Sequence, residues 1–434
     1  MTRVQDRSLR IAVLGAGVVG TEVIRSLVTQ EGDLSARVGS GLELIGVAVR
    51  DTSAPRDSVI DPALLTSDAG SLVDRADLVV ELMGGLEPAR TLILRAFAAG
   101  ASVVTANKAL VAAHGPELYE AAEAAGADLY FEAAVAGAIP VVRALRESLA
   151  GDEISRVLGI VNGTTNYILD EMTTAGLAFD VALGQAQELG YAEADPTADV
   201  EGHDAAAKAA IIASLAFHTR IPLSAVACEG ISAVTKEDVA AAAESGHVIK
   251  LLAIVENTAG GVQARVHPAL VPTGHPLAGV HGAFNAVFVE SESAGELMFY
   301  GRGAGGRPTA SAVLGDVVAA ARHRVHGGLA PAESAYAGLA AAPSADALTR
   351  LQIRLYVADR PGVLAQVASV VAKHGVSIEA VRQSDTAQAS QRDAAELIII
   401  THRARQADLD ATVADLAELD SVTEVASVLR VIGI

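Results

Sequence analysis

The sequence predicts an α/β protein: a doubly wound parallel sheet first, an α+β domain in the middle and a ferredoxin-like unit at the end. Three observations carry that expectation. Gly15-Ala16-Gly17-Val18-Val19-Gly20 stands between a short apolar run, Leu9 to Leu14, and a helical pattern reaching about Thr29. Apolar runs then alternate with alanine-rich helical stretches, as in a parallel sheet covered on both faces. Beyond residue 348 the order becomes strand-helix-strand twice over, the split β-α-β arrangement.

Taken in order, Leu9 to Leu14, the glycine turn and the helix after it form a Rossmann-type opening for a dinucleotide. Leu42 to Val49, Ala76 to Leu82 and Ala101 to Ala106 follow as strands. A helix from Pro88 to Ala99 is closed by Gly100. Residues 1–139 thus make a nucleotide-binding domain, completed by a late helix at 309–326. At Pro140 the texture changes. Proline suits the first position of a helix, Ile154 to Asn162 reads as a strand and Thr164 to Met172 as a helix. A long helix runs from near Asp204 to Phe217, and Val262 to Ser291 alternates enough for strands. Thr309, after the Pro308 turn, is the expected N-cap of a helix Ala310 to Arg322. Residues 140–308 are expected to form the catalytic, substrate-binding and oligomerisation domain. Residues 327–347, rich in Gly, Ala, Pro and Ser, read as a linker. The last domain, 348–434, has strands at Thr349 to Val357, Ser377 to Gln383, Glu396 to Thr401 and Ser421 to Ile432. Its helices follow Gly362 and run from Asp408 to Leu419.

Composition narrows the function. The 434 residues carry 32 Lys and Arg against 52 Asp and Glu, a formal charge of −20. Strong negative charge with 3% aromatics is one signature of disorder. A hydrophobic content of 51% opposes it, supplying a core of Ala, Val, Leu and Ile. The acidity leaves no basic face for nucleic acid or an anionic membrane. No apolar stretch reaches the roughly 18 residues of a membrane span, and Met1 to Arg10 is polar, without a signal core. The single cysteine, Cys228, excludes an intrachain disulfide and fits a reducing cytoplasm. It is expected to be a buried free thiol.

Three stretches carry chemistry. In the glycine turn, Gly15 permits the tight turn, Gly17 lets backbone approach a pyrophosphate and Gly20 allows close packing. Val18 and Val19 open the helix whose N–H groups face the phosphates. At the end of the second strand Arg50 precedes Asp51. Arg50 points to the 2′-phosphate of NADP(H), with NAD(H) through Asp51 as the alternative and a plain surface arginine as the bland one. Thr105-Ala106-Asn107-Lys108-Ala109-Leu110 lies at the carboxyl edge of the sheet, where ligands bind. There Lys108 is either solvated surface or a group that meets cofactor and substrate. The densest stretch runs from Gly190 through Tyr191, Glu193, Asp195, Asp199, Glu201 and Asp204 to Lys208. Asp204 and Lys208 are one helical turn apart and meet on one face. They form either a solvated ion pair or a carboxylate that orients a proton-transferring ammonium. A metal cluster is disfavoured, because His203 is the lone nearby imidazole and calcium-loop spacing is missing.

These motifs together resemble the homoserine dehydrogenase family. The resemblance rests on the glycine turn, Thr105 to Leu110, Phe131 to Pro140, Asn162-Gly163-Thr164-Thr165-Asn166-Tyr167, Glu193 to Lys208 and Gly301-Arg302-Gly303-Ala304-Gly305. Asp359-Arg360-Pro361-Gly362-Val363-Leu364 resembles an ACT domain, a regulatory module that often binds amino acids. The resemblance implies NAD(P)-dependent interconversion of L-homoserine and L-aspartate 4-semialdehyde, a step toward threonine, methionine and isoleucine. It implies that Lys208, Asp204 and Lys108 handle the hydroxyl proton. Glu193, Asp199, Tyr191, Gly163 and Thr164 match substrate positions, and Gly303 a nucleotide contact. Glu132, Val135, Gly137 and Ile139 match a monovalent cation site, usually sodium. An amino-acid effector at the ACT domain and a homodimer or homotetramer are implied as well. One departure is Arg302, where the family often has proline.

Two rivals stand beside this. Aspartate-semialdehyde dehydrogenase needs a thiolate nucleophile, and Cys228 has no suitable setting. A cofactor- and amino-acid-sensing binding protein needs only the first and last domains. It has no use for Lys108, Glu193, Asp204 and Lys208 together.

Overall fold

The computed structural model describes residues 7–384 and 394–433. The first six residues of Met1 to Arg10 therefore lie outside the described residues. The opening domain runs β1 (Leu9–Leu14), α1 (Val18–Thr29), α2 (Glu31–Val38), β2 (Leu42–Ala48), β3 (Leu65–Thr66), α3 (Ala69–Val73), β4 (Leu78–Glu81), α4 (Ala89–Ala98), β5 (Ser102–Thr105), α5 (Lys108–Ala125) and β6 (Leu129–Tyr130). Its sheet is six-stranded and parallel, in the order β3-β2-β1-β4-β5-β6. Period-two alternation covers both faces. Ala12 and Leu14 of β1 join Leu72, Leu92, Ile93 and Leu110 in one core, while Ile11 and Val13 join Val23, Ile24 and Leu34 in another. Each fully buried aliphatic side chain contributes about 1.5–3 kcal/mol, so a polar group on either face must bring its own hydrogen-bond partner. The two-residue strands β3 and β6 are too short to show in a periodicity.

After a short helix, α6 (Val141–Arg143), come β7 (Ile154–Ile160), α7 (Gly163–Thr174), α8 (Phe179–Glu188), α9 (Thr197–Val200), α10 (His203–Ala216), β8 (Ala227–Cys228), α11 (Lys236–Glu244), β9 (His247–Thr258), β10 (Gly261–Pro272), β11 (Phe284–Ser291), β12 (Gly295–Arg302) and α12 (Gly306–His326). Two expected caps are displaced. Pro140 is the N-cap of α6, not its first residue, and the chain continues into a π-helical turn, Ala144–Ser148. Thr309 lies inside α12, whose N-cap is Gly305. Proline at 308 is tolerated there because it is in the first turn, where its missing N–H has no intrahelical acceptor. Val313, Val317 and Ala320 of α12 enter the core shared by α1 and β1, which returns the chain to the first sheet.

The last unit is β13 (Leu348–Ala358), α13 (Val363–Lys373), β14 (Ile378–Ser384), β15 (Ala394–Thr401), β16 (Ala404–Arg405), α14 (Gln406–Ala417) and β17 (Val422–Val431). Val363, Val367 and Leu409 pack from its helices onto Leu351, Ile353 and Leu397 of its strands. Its sheet does not stand alone. β17 pairs in parallel with β10 through Ala269–Arg430 and Leu270–Val431, giving one mixed sheet ordered β12-β11-β7-β9-β10-β17-β13-β15-β14. Residues 327–347 run along the body between these parts. Thr219 donates to the Leu339 carbonyl at 2.8 Å, Arg220 pairs with Glu333 at 2.6 Å, and His218 stacks on Tyr336.

Candidate active site

The glycine turn leaves β1 with Gly15 at φ +103°, and a Cβ there would sit 2.8 Å from the Leu82 carbonyl oxygen. A Cβ on Gly20 would collide with the Gly15 carbonyl, whereas Gly17 faces open space. Turn and close packing thus fall to Gly15 and Gly20, and Gly17 leaves its side of the turn open. Gly17 caps α1 without a side chain, Val18 is exposed and Val19 half-buried. The first N–H groups of α1 therefore have no side-chain acceptor at the cap. Gly15, Ala16 and Gly17 open onto a cleft of about 750 Å³ that is also lined by Arg50, Asp51, Arg56, Met83 and Gly84. Asp51 is turned inward on its own loop. Its carboxylate accepts from the Ser53 hydroxyl and amide at 2.6 and 2.8 Å, and these bonds hold its pKa below the ordinary value. Arg56 donates to the carbonyls of Ala16 and Asp51 at 3.2 and 3.3 Å. The sequence reading passed over Arg56, which sits eight residues beyond β2 in an irregular loop.

A buried carboxylate organises the next strand ends. Glu81 closes β4 fully buried, accepting from the Met83 amide at 2.7 Å and the Thr105 hydroxyl at 2.6 Å. The Thr105 oxygen in turn accepts from the Asn107 amide at 3.0 Å, and Asn107 caps α5 through the Leu110 amide at 3.1 Å. Lys108 is thereby fixed as the first residue of α5. A cation at a helix N-terminus opposes the helix dipole, so this lysine needs an anionic partner. It has one: Lys108 forms an ion pair with Asp204.

Asp204 reaches that point from α10, which begins at His203 behind Gly202 in a left-handed conformation. Asp204 and Lys208 are each 8% exposed. Lys208 donates to Asp204 Oδ2 at 2.7 Å and to the Val161 carbonyl at 2.6 Å. Asn162, the N-cap of α7, donates to the same Asp204 oxygen at 3.0 Å and to Asp199 at 2.7 Å. Burial works to raise the Asp204 pKa, but attraction to Lys208 and then Lys108 outweighs it and holds the carboxyl well below the carboxylate range. The solvated ion pair is therefore excluded: this is a desolvated carboxylate between two ammonium groups. Asn162 is the member that sequence reasoning missed, although it opens the Asn-Gly-Thr-Thr motif.

Gly163 follows Asn162 directly, and Thr164 donates to the Tyr191 carbonyl at 2.7 Å. That bond ties α7 to the acidic loop, and Tyr191 meets Tyr167 at a 5.1 Å centroid separation. Glu193 is exposed on the loop, and among the described residues its carboxylate joins no ion pair. The expected buried thiol is corrected: Cys228 is exposed. It sits on β8, a two-residue strand pairing with β10, too short to be covered. Burial of part of the side chain still raises its pKa, which argues against a thiolate.

Glu132, Val135, Gly137 and Ile139 lie in one tight loop, with left-handed backbone at Ala136 and Gly137. The Glu132 carboxylate accepts from the amides of Val142 and Arg143 at 2.8 and 2.9 Å, and burial raises its pKa. Ala138 donates to the Arg302 carbonyl at 3.1 Å, and a Cβ on Gly137 would collide with Gly303. The loop is thus packed against the Gly303 turn. Its donors are carbonyl and carboxylate oxygens, the hard ligands that suit an alkali cation. Among the described residues no three His, Cys, Asp or Glu side chains gather as a metal cluster, and no helix is long and apolar enough to cross a membrane.

Residues 15–132 match the family model of the homoserine dehydrogenase NAD-binding domain, 140–318 that of homoserine dehydrogenase and 351–421 that of the ACT domain. A homoserine dehydrogenase of Corynebacterium glutamicum is 57% identical over 97% of this chain and 95% of its own length. The chain belongs to the homoserine dehydrogenase family. The crystal structure of a homoserine dehydrogenase from Thiobacillus denitrificans superposes with a TM-score of 0.92 at 39% identity, covering 98% of both chains. A hyperthermophilic archaeal homoserine dehydrogenase in complex with NADPH matches 72% of this chain and 97% of its own, with a TM-score of 0.61 at 27% identity.

Proposed function

We infer that this protein is a homoserine dehydrogenase, an NAD(P)-dependent oxidoreductase that interconverts L-homoserine and L-aspartate 4-semialdehyde. One observation carries the assignment of roles: a buried Asp204 clamped between Lys108 and Lys208 at the carboxyl edge of the sheet. Of the three ammonium protons on Lys208, two are directed at Asp204 and Val161, leaving the third for a substrate hydroxyl oxygen. Lys208 handles the hydroxyl proton, Asp204 holds the ammonium in place, and Lys108 adds positive potential toward a developing alkoxide. Glu193 and Asp199, with Tyr191, Gly163 and Thr164 around them, receive the amino end of the substrate. A bound nicotinamide supplies the hydride chemistry.

The finer assignments belong to the same proposal. Gly15, Gly17, Val18, Val19, Gly20 and Gly303 cradle the dinucleotide. Arg50 and Arg56, beside an Asp51 already satisfied by Ser53, favour NADP(H), with NAD(H) as the weaker cofactor. Glu132, Val135, Gly137 and Ile139 would hold a sodium ion through hard oxygen donors. The ACT domain takes an amino-acid effector, with threonine the first to try. At one end of the mixed sheet, β12 exposes alternate residues, Met298 and Tyr300 among them, which suits pairing with a second copy. The enzyme would serve threonine, methionine and isoleucine synthesis in a cytoplasm that keeps Cys228 reduced.

The test is nicotinamide absorbance with homoserine and either cofactor, with and without threonine. Turnover is expected with NADP, and Lys208→Ala is expected to lower kcat by about 10²–10⁴-fold with the fold intact by circular dichroism. Unchanged turnover in that variant removes Lys208 from the chemistry.

A further inference from the structure

Where the middle strands of the mixed sheet meet the ACT strands, a second cleft of about 350 Å³ opens. That is the size of a small-molecule site rather than a packing defect. In a chain of net charge −20, four arginines line it, Arg156, Arg265, Arg350 and Arg403, against two carboxylates, Glu256 and Glu290. Both carboxylates are already matched. Glu290 holds Arg156 in a bidentate pair at 2.9 and 2.5 Å, and Glu256 holds Arg265. Arg350 reaches away to Glu379, and neither lining glutamate is left to offset Arg403.

Domain-joining ion pairs would account for the matched groups, but not for two polar atoms left over. Arg265 is 6% exposed, and its Nε–H has no acceptor. His267, 3% exposed, has no partner at Nε2. Its Nδ1 lies 3.0 Å from the Pro268 carbonyl, which only accepts, so Nδ1 carries the proton and Nε2 is a bare acceptor. Burial keeps that imidazole neutral. Burial also lowers the Arg265 pKa, Glu256 offsets part of this, and Arg430, Arg156 and Arg403 press the same way as burial. An unmatched buried guanidinium N–H beside surplus positive potential is the mark of a site without its anion, whereas His267 Nε2, an acceptor, suits an O–H of the ligand or its water and not the anionic oxygen itself.

We propose that this cleft binds a small oxyanion, a carboxylate- or phosphate-bearing molecule, between the middle domain and the ACT domain. Guanidinium groups take both chemistries by charge-assisted, often bidentate hydrogen bonds. The position gives the site a route to the catalytic helix. Arg265 and His267 point to the cleft, while Val266 between them points to the opposite face. A Cβ on Gly202, the N-cap of α10, would lie 3.2 Å from Val266. The ligand would therefore sit one strand away from the start of the helix that carries Asp204.

Isothermal titration of the whole chain with inorganic phosphate and, separately, succinate tests this, at an ionic strength held constant with potassium chloride. Saturable binding above the chloride background is expected. Phosphate alone, succinate alone or both identifies which oxyanion the cleft accepts. Arg403→Ala, at an exposed position, and Arg265→Lys, which keeps the charge beside Glu256 but removes the Nε–H, are each expected to weaken binding about tenfold. A loss in either variant supports the site. No saturable uptake in the wild type overturns the proposal. So does equal affinity in both variants, which would assign the ion to the glycine turn or the substrate pocket instead.

Discussion

In the parallel sheet the proposed site is built from turns at strand ends: Gly15 after β1, Met83 and Gly84 after β4, Lys108 after β5. In the middle domain they are side chains of α10 and α7, buried behind β7, β9 and β10. The first region offers backbone N–H groups and open space, and two of its cations, Arg50 and Lys108, stay substantially exposed. The second buries Asp204 and Lys208 and must satisfy them internally. On the proposed roles, a turn made of backbone would recognise what many dinucleotides share, whereas a desolvated ion pair would serve one reaction. Shape carries the first region and electrostatics the second.

The strongest test of that contrast lies under the substrate motif. Lys250 of β9 is 2% exposed, donating to Asn166 at 3.1 Å and to the Val280 carbonyl at 2.6 Å. Burial lowers its pKa from 10.5 to about 8. Between those two pH values the unfolded chain keeps a proton that the folded chain has released, so stability rises with pH. The rise is about 3 kcal/mol, and Lys250→Met is expected to flatten it. Urea unfolding of both proteins from pH 7.5 to 10.5 measures the difference, and parallel curves would show that Lys250 is not buried as a charge.

A smaller effect is expected in the cleft. Arg50→Ala and Arg56→Ala should each raise the KM for NADP about tenfold while leaving that for NAD within about twofold. Equal losses for both cofactors would make these arginines general phosphate contacts and blur the contrast between backbone and charge.

The smallest effect is expected at the seam of the mixed sheet. Arg430 pairs with Glu229 at 2.6 Å, but Glu229 is half exposed. Arg430→Ala should cost under about 1 kcal/mol in chemical unfolding. A larger loss would mean that the β10–β17 junction depends on this pair rather than on its strand bonds.

What could be read beforehand follows the same division. The glycine turn, the strand-helix alternation and the one-turn spacing of Asp204 and Lys208 are local, so the chain displays them in order. β9 was not anticipated, because His247–Thr258 is buried along most of its length and shows no alternation. β12 alternates as an edge strand should, yet its glycines and short turn hid it. Arg56, Asn162 and Glu81 act through partners 24 to 42 residues away, or through loop carbonyls, and no spacing rule reports such meetings. The displaced caps at Pro140 and Thr309 have another cause: each helix found an earlier or irregular start within a longer packed element.

The parallel pairing of β17 with β10 also sets a timetable. Residues 261–272 leave the ribosome roughly 160 residues before their partner strand, an interval of about 8–30 s at ordinary synthesis rates. The nucleotide-binding strands can close on themselves in that time, but part of one edge of β10 must wait. An unpaired edge strand is a place where another chain can add. Newly made copies are thus most open to mispairing after the dinucleotide cleft has formed and before residues 422–431 arrive to cover that edge.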